Sequence, residues 1–191
     1  MELYKYASYE EYVEAQTRAN IKKIRNVWVR PSTIDKIKSV KGTAQTILCH
    51  GTRNGTEQGY FHKAFPFAEV IGTEISHTAT QFPMTVQWDF HEVKAEWVNK
   101  FDIVYSNSFD HSYDPDKCLE TWVAQLSPNG MLFMEHPAAD IDNRSRATDP
   151  LSISLDELIE LLDSKGIAVT RQIHQDAFRN HPSTILACCK K

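Results

Sequence analysis

Apolar and polar positions alternate along this chain on two different periods. Short, mostly apolar runs at Ile47-Leu48-Cys49, Val70-Ile71 and Phe101-Asp102-Ile103-Val104-Tyr105 end in turn or polar residues, and they predict strands, the last of them buried and parallel. Between them lie stripes of helical spacing. Ser8 and Glu11 form a predicted capping box before Tyr12, Val13, Ala15, Gln16 and Ala19, and Pro31 opens a second helix carrying Ile34, Ile37 and Val40. A helix over Thr56 to Phe65 stops at Pro66, and a strand follows over Ala68 to Glu74. Only Ile75 to Met84 separates that strand from the run Thr85 to Phe90, too little for a full helix. Asp114 caps a helix with Pro115 at its first position, where Leu119, Trp122, Val123 and Leu126 fall at i, i+3, i+4 and i+7. Ser127-Pro128-Asn129-Gly130 predicts a turn into the strand Met131 to Glu135.

Pro137 to Pro150 shows no periodicity and predicts a long loop. Ser154 with Glu157 predicts a second capping box, opening a helix that carries Leu155, Leu158, Ile159 and Leu162 and ends at Gly166. Strands near Ile167 to Ile173 and Thr184 to Cys189 close the chain as a candidate antiparallel pair around Asn180-His181-Pro182.

The alternation predicts one α/β domain, and 191 residues with 41% hydrophobic content suit one substantial core. We place the boundary between an N-terminal helical extension, a candidate lid, over 1–44 and the main domain over 45–191. A formal charge of -4 argues against duplex nucleic acid as a partner. No stretch has the roughly 18 apolar residues of a membrane span and the first residues lack a signal peptide's apolar region, so a cytoplasmic protein is expected, with homo-oligomerisation left open. Cys49, Cys118, Cys188 and Cys189 form no C-x-x-C pair and are expected to be inert packing residues.

The chemistry concentrates after the first predicted strand. Gly51 and Gly55 bracket a turn where backbone can approach a ligand, and Glu74 follows about twenty residues later at the tip of the next strand, placed to accept ribose hydroxyls. This spacing suits an adenosine-containing cofactor. His50, His91, His111 and His136 each fall at or just after the carboxyl end of a predicted strand, the edge where open parallel sheets place ligands. Any one of them also suits a surface loop or a hydrogen bond to backbone. Their wide separation gives no metal-ligand spacing, and no metal is expected.

The ordered set of glycine loop, acid-tipped strand, Trp88-Asp89, Phe101-Asp102-Ile103-Val104 and Leu126-Ser127-Pro128-Asn129-Gly130-Met131-Leu132 resembles the Rossmann-like class of S-adenosylmethionine-dependent methyltransferases over roughly Thr46 to His136. The resemblance implies a mostly parallel seven-stranded sheet with an antiparallel last strand. It also implies S-adenosylmethionine as cofactor, with His50, Gly51, Arg53, Asn54, Gly55, Glu74, Ile75, Trp88, Asp89, Phe90 and Ser106 around it. Glu74 matches the ribose acid and Asp89 the acid that meets the adenine amino group, while Ser106-Asn107-Ser108-Phe109 occupies the catalytic position. Two positions depart from the pattern. Arg53 stands where a glycine is usual, and Cys49 where an acid is frequent. The missing N-P-P-Y motif lowers the expectation of a nucleobase substrate.

Methyl transfer needs alignment of an incoming oxygen or nitrogen and removal of its proton. Asn107 is expected to orient the acceptor and His111 to take the proton, with Asp110 or Glu135 fixing its tautomer. Tyr9, Tyr12 and Trp28 would cover the pocket or simply pack on the sheet. The leading expectation is a methyltransferase acting on a small molecule or glycan precursor. A non-catalytic nucleoside-binding or partner-binding domain of the same fold is the alternative, and a nicotinamide oxidoreductase is disfavoured because G-x-G-x-x-G is absent.

Overall fold

The structure, a computed structural model, describes residues 1–137, 145–179 and 181–191. Its strands are β1 (Glu2–Leu3), β2 (Thr46–His50), β3 (Glu69–Glu74), β4 (Thr85–Gln87), β5 (Phe101–Ser106), β6 (Leu126–Pro137), β7 (Leu151–Ser152), β8 (Ile167–Phe178) and β9 (His181–Lys190). Seven of them form one sheet in the order β4-β3-β2-β5-β6-β9-β8. All neighbours pair in parallel except β9, which runs antiparallel to both β6 and β8. This is the expected Rossmann-like arrangement with its antiparallel last strand.

Strand alternation distributes the apolar side chains over two faces. Leu48, Val104, Leu132 and Leu186 join one core with Leu119 and Trp122 of α4 (Pro115–Gln125) and Leu158 and Leu162 of α5 (Leu155–Ser164). Ile47, Cys49, Ile103, Tyr105 and Phe133 point the other way. They meet Ile34 and Ile37 of α2 (Pro31–Lys41) and Phe61 of α3 (Thr56–Ala64). Each fully buried Leu, Ile or Phe contributes about 1.5–3 kcal/mol relative to exposure. Gly72 of β3 lets α3 sit close, since a Cβ there would lie 1.7 Å from Gln58 Nε2. Asp114 caps α4 through Lys117 N, and Ser154 and Glu157 complete the predicted capping box of α5.

The structure differs from the sequence expectation at several places. Ser8 Oγ accepts from Glu11 N as the cap of α1 (Tyr9–Lys22), but Glu11 returns its carboxylate to Ala7 N, so this box is displaced by one residue. The run from Thr85 leaves the sheet after Gln87, because Asp89 accepts from His91 N and turns the chain. Ser127 to Gly130 lies within one long strand. Its irregular register places Gly130 against Phe101 O, at 2.5 Å from where a Cβ would be. Directly after the predicted loop comes β7, which pairs antiparallel with β1 in a small separate sheet. Residues 138–144 of that loop, and Asn180 of the predicted hairpin turn, lie outside the described residues. Among the described residues no helix is long and apolar enough to cross a membrane. Cys49, Cys118 and Cys188 are buried and no cysteine is in a disulfide, in line with a packing role.

Candidate functional site

The carboxyl ends of β2 and β3 build one corner of the site. Gly51, Arg53 and Gly55 all have positive φ, at 71°, 46° and 73°, so the loop after β2 curls back on itself. Gly51 is required there on two grounds: its left-handed backbone, and Ser108, whose Cβ would lie 2.7 Å from an added Cβ. Arg53 N donates to Glu74 Oε2 and Ser76 N donates to Glu74 Oε1, both at 3.0 Å. Glu74 is thus buried at the tip of β3 and clamps the loop to the turn that follows.

Asp89 forms the opposite wall. Its Oδ1 accepts from His91 N at 2.9 Å and lies 2.6 Å from His91 Nδ1, while Oδ2 accepts from Tyr9 OH at 2.9 Å. His91 Nε2 contacts Ser112 Oγ at 2.8 Å. Burial pulls the Asp89 carboxyl upward. The His91 hydrogen bonds and charge, with Tyr9, more than offset this and hold it below its ordinary value.

Helix α1 lies across this corner. Tyr12 is 2% exposed and donates from its hydroxyl to His111 O at 3.3 Å. Gln16 Oε1 lies 2.9 Å from His111 Nδ1. Beneath the helix remains a narrow cavity of about 50 Å³, bounded by Tyr12, Gln16, Gly51, Glu74, Ile75, Asp89, Phe90 and His111 among others. A second cavity of about 500 Å³ opens beside it, and Lys23, Gly51, Arg53, Ser108 and His111 line both.

His111 stands where the two spaces meet. Its Nε2 lies 3.9 Å from Asp149 Oδ1 and 4.0 Å from Asp110 Oδ1. The three ligating atoms fall within 4.8 Å of one another. The sequence paired His111 with Asp110, and the fold adds Asp149 from a distant segment. Asp149 is further held by Arg146 Nε at 2.5 Å and Thr148 Oγ1 at 3.0 Å through Oδ2. Burial raises the Asp149 carboxyl, but His111, Arg146 and Thr148 outweigh it and keep it below the usual range.

The remaining expected site residues separate into groups. Asn107 lines the large cavity, and Asn54 lines it while donating to Ile24 O at 2.8 Å, tying the loop to the chain after α1. Ser106 is buried and holds the turn, donating to His50 O and accepting from Ser108 N. The His50 ring points into the core, stacked on Trp122 at 5.0 Å between Thr73 Oγ1 and Gln125 Oε1. Burial pushes it down to about 4. Trp88 donates to Glu92 O and packs against the core beside Trp97. Glu135 does not reach His111; its carboxylate accepts from Tyr105, Gln175 and Ser183. Trp28 lines the large cavity beside His181.

Four site residues escaped the sequence reading in whole or in part. Gln16 was seen only as part of a helical stripe, although it lies one turn beyond Tyr12. Ser108 was seen only as part of the catalytic turn. Asp149 sits in an aperiodic segment without any local signal. Glu57, in the first turn of α3, reads in sequence as an acid favoured by the helix dipole.

Residues 48–134 match the family model described as a methyltransferase domain. No curated protein sequence matches the chain. Among solved structures, 1,6-didemethyltoxoflavin-N1-methyltransferase of Burkholderia thailandensis, with bound 1,6-didemethyltoxoflavin and S-adenosylhomocysteine, superposes with a TM-score of 0.77 at 16% identity, over 98% of this chain and 92% of that one. Magnesium protoporphyrin IX methyltransferase from Synechocystis PCC 6803, with bound S-adenosylmethionine, gives 0.65 at 12%, over 98% and 100%. The cyclase SpnF gives 0.65 at 12%, over 82% and 80%. These likenesses establish the fold, and the cyclase among them illustrates that a fold does not dictate a reaction.

Proposed function

We propose that this chain, whose residues 48–134 match a methyltransferase domain, is an S-adenosylmethionine-dependent methyltransferase that methylates an oxygen or nitrogen of a small molecule or glycan precursor held in the large cavity. The observation that carries the proposal is the position of His111 on the walls of both cavities, with the glycine loop and Glu74 on one side and open space for an acceptor on the other.

The residues present suit the cofactor. Glu74 is a strand-tip carboxylate with lone pairs left for ribose hydroxyls, Ile75 and Phe90 flank the place of the base, and Arg53 faces the amino-acid end. When bound, the cofactor supplies an electrophilic methyl group on sulfur. Asn107 orients the acceptor, and the open Nε2 of His111 receives its proton. Asp110 and Asp149 then face the resulting imidazolium with negative charge.

A cavity of about 50 Å³ is well below the ~300–1,000 Å³ of ordinary ligand sites. Tyr9 also occupies the Asp89 oxygen at this end. The nucleoside therefore enters by displacing α1, whose return excludes water. Calorimetry against S-adenosylmethionine, S-adenosylhomocysteine and NAD tests the reading. Binding of the first two without NAD is expected, and NAD binding alone would overturn it.

A further inference from the structure

Glu57 is 7% exposed, lines the large cavity, and has one oxygen, Oε2, without a hydrogen-bond partner among the described residues. A buried carboxylate left in that state is costly unless a cation reaches it. We infer that Glu57 receives the ammonium group of the cofactor's methionyl end, replacing the acid that the end of β2 lacks at Cys49. The inference rests on the methyltransferase reading above and assigns a residue that its sequence pattern does not.

Three relations support the assignment. Glu57 sits two residues beyond Gly55, in the first turn of α3, where the helix leaves the loop that would cradle the cofactor. Its charge acts on the Cys49 thiol of β2 and the Tyr105 hydroxyl of β5, two neighbours on the side of the sheet that α3 covers. Arg53 lines the same cavity, and its guanidinium donates to Asn26 O at 3.4 Å. A carboxylate and a guanidinium on the wall of one cavity match the two ends of a zwitterionic amino acid. An ammonium brings three donors and a positive charge to the orphaned oxygen.

Burial pushes the Glu57 carboxyl up to about 7. Arg53 and an Asn107 hydrogen bond act against that rise, and Glu74 adds to it. The groups facing Glu57 are thus Arg53 from the loop, Glu74 from β3, Cys49 from β2, and Tyr105 and Asn107 from β5 and its following turn. Burial holds the Cys49 thiol and Tyr105 phenol well above their ordinary values, so both stay neutral.

Calorimetry with two ligands provides the test: S-adenosylhomocysteine, and 5′-deoxy-5′-methylthioadenosine, which keeps the nucleoside and thioether but lacks the amino-acid end. Glu57→Gln should weaken S-adenosylhomocysteine by about 10- to 100-fold, the scale of a charge-assisted hydrogen bond, while methylthioadenosine changes by less than about twofold. Wild-type affinity for S-adenosylhomocysteine should fall about fivefold to tenfold from pH 8 to pH 6 as Glu57 takes a proton, and Glu57→Gln should abolish that dependence. Glu57→Asp, which keeps the charge, should retain part of the discrimination and also guards against a folding defect in the neutral variant. Equal affinity of wild type and Glu57→Gln for S-adenosylhomocysteine would overturn the inference, as would equal weakening of both ligands. Failure of wild type to bind either ligand would remove the methyltransferase reading itself, a separately recognisable outcome.

Discussion

Gln16 and His111 are joined across 95 residues by a 2.9 Å contact between Oε1 and Nδ1. The amide orientation follows from its other end, where Nε2 donates to the carbonyl oxygens of Ala147 at 3.3 Å and Thr148 at 3.5 Å. Carbonyls only accept, so the oxygen faces histidine, Nδ1 carries the proton, and Nε2 is the free base. A helix near the start of the chain thereby sets the tautomer of the proposed proton acceptor.

His111→Gln should lower turnover by about 10²- to 10⁴-fold with S-adenosylhomocysteine affinity nearly unchanged, because proton removal matters in the transition state. Gln16→Met should lower kcat by about tenfold and leave His111 in place. Near-normal turnover in His111→Gln would move the role to His136, which also lines the large cavity.

Glu74→Ala should impair both binding and folding. Its carboxylate accepts from Arg53 N and Ser76 N before any ligand arrives. Removal leaves two backbone donors without their partner, at about 1–3 kcal/mol of stability. A thermal melt and a titration with S-adenosylhomocysteine should both shift; an unchanged melt would contradict the clamp.

His50 should make stability fall on the acid side. Its folded value of about 4 lies below the ordinary 6.5, so the unfolded chain binds the extra proton. Stability is present above pH 6.5 and declines toward pH 4, by about 3 kcal/mol in all. Urea unfolding at pH 7 and pH 5 measures the slope, and His50→Gln should flatten it.

Glu57 should act in the opposite direction. Its folded value of about 7 lies above the ordinary 4.5, so stability is present below pH 4.5 and lost as pH rises through 7. Without cofactor, Glu57→Gln should be more stable than wild type at pH 8, by up to about 3 kcal/mol, and show little gain at pH 4.5. The comparison of urea midpoints at the two pH values decides it.

Tyr9→Phe should ease cofactor entry. The variant keeps the ring but loses the hydroxyl bond to Asp89, worth about 1 kcal/mol in the closed arrangement. Stopped-flow association of S-adenosylhomocysteine should quicken by about fivefold. An unchanged rate would place the entry path away from α1.

The sheet was legible because its signals are local. Apolar runs with turn residues at their ends marked β2, β3 and β5, and cap residues marked α4 and α5. The end of β4 was misjudged because Trp88 and Phe90 continue the apolar pattern while the Asp89 side chain turns the backbone. The β1 and β7 pairing has two residues on each side, too few for any period. The site divides in the same way. Glu74 and Asp89 follow from strand spacing, whereas His50 looks like a ligand in sequence and Trp122 claims its ring in space. Asp149 reaches His111 only through tertiary contact, and Glu57 shows its significance only when its burial is known.

The small sheet of β1 and β7 has a kinetic consequence. Tyr4 N donates to Pro150 O, Tyr6 OH to Ala147 O, and Gln16 to both Ala147 and Thr148. The segment before α1 and the segment bearing Asp149 are thus stitched together, so lifting α1 pulls on a wall of the large cavity. In the proposed reaction, admission of the nucleoside and retention of the acceptor would share one hinge. For the proposed reaction such an arrangement predicts a sequence of events: cofactor first, acceptor after closure, and methylated product out before the spent nucleoside. In product-inhibition kinetics, S-adenosylhomocysteine should therefore compete with S-adenosylmethionine and not with the acceptor.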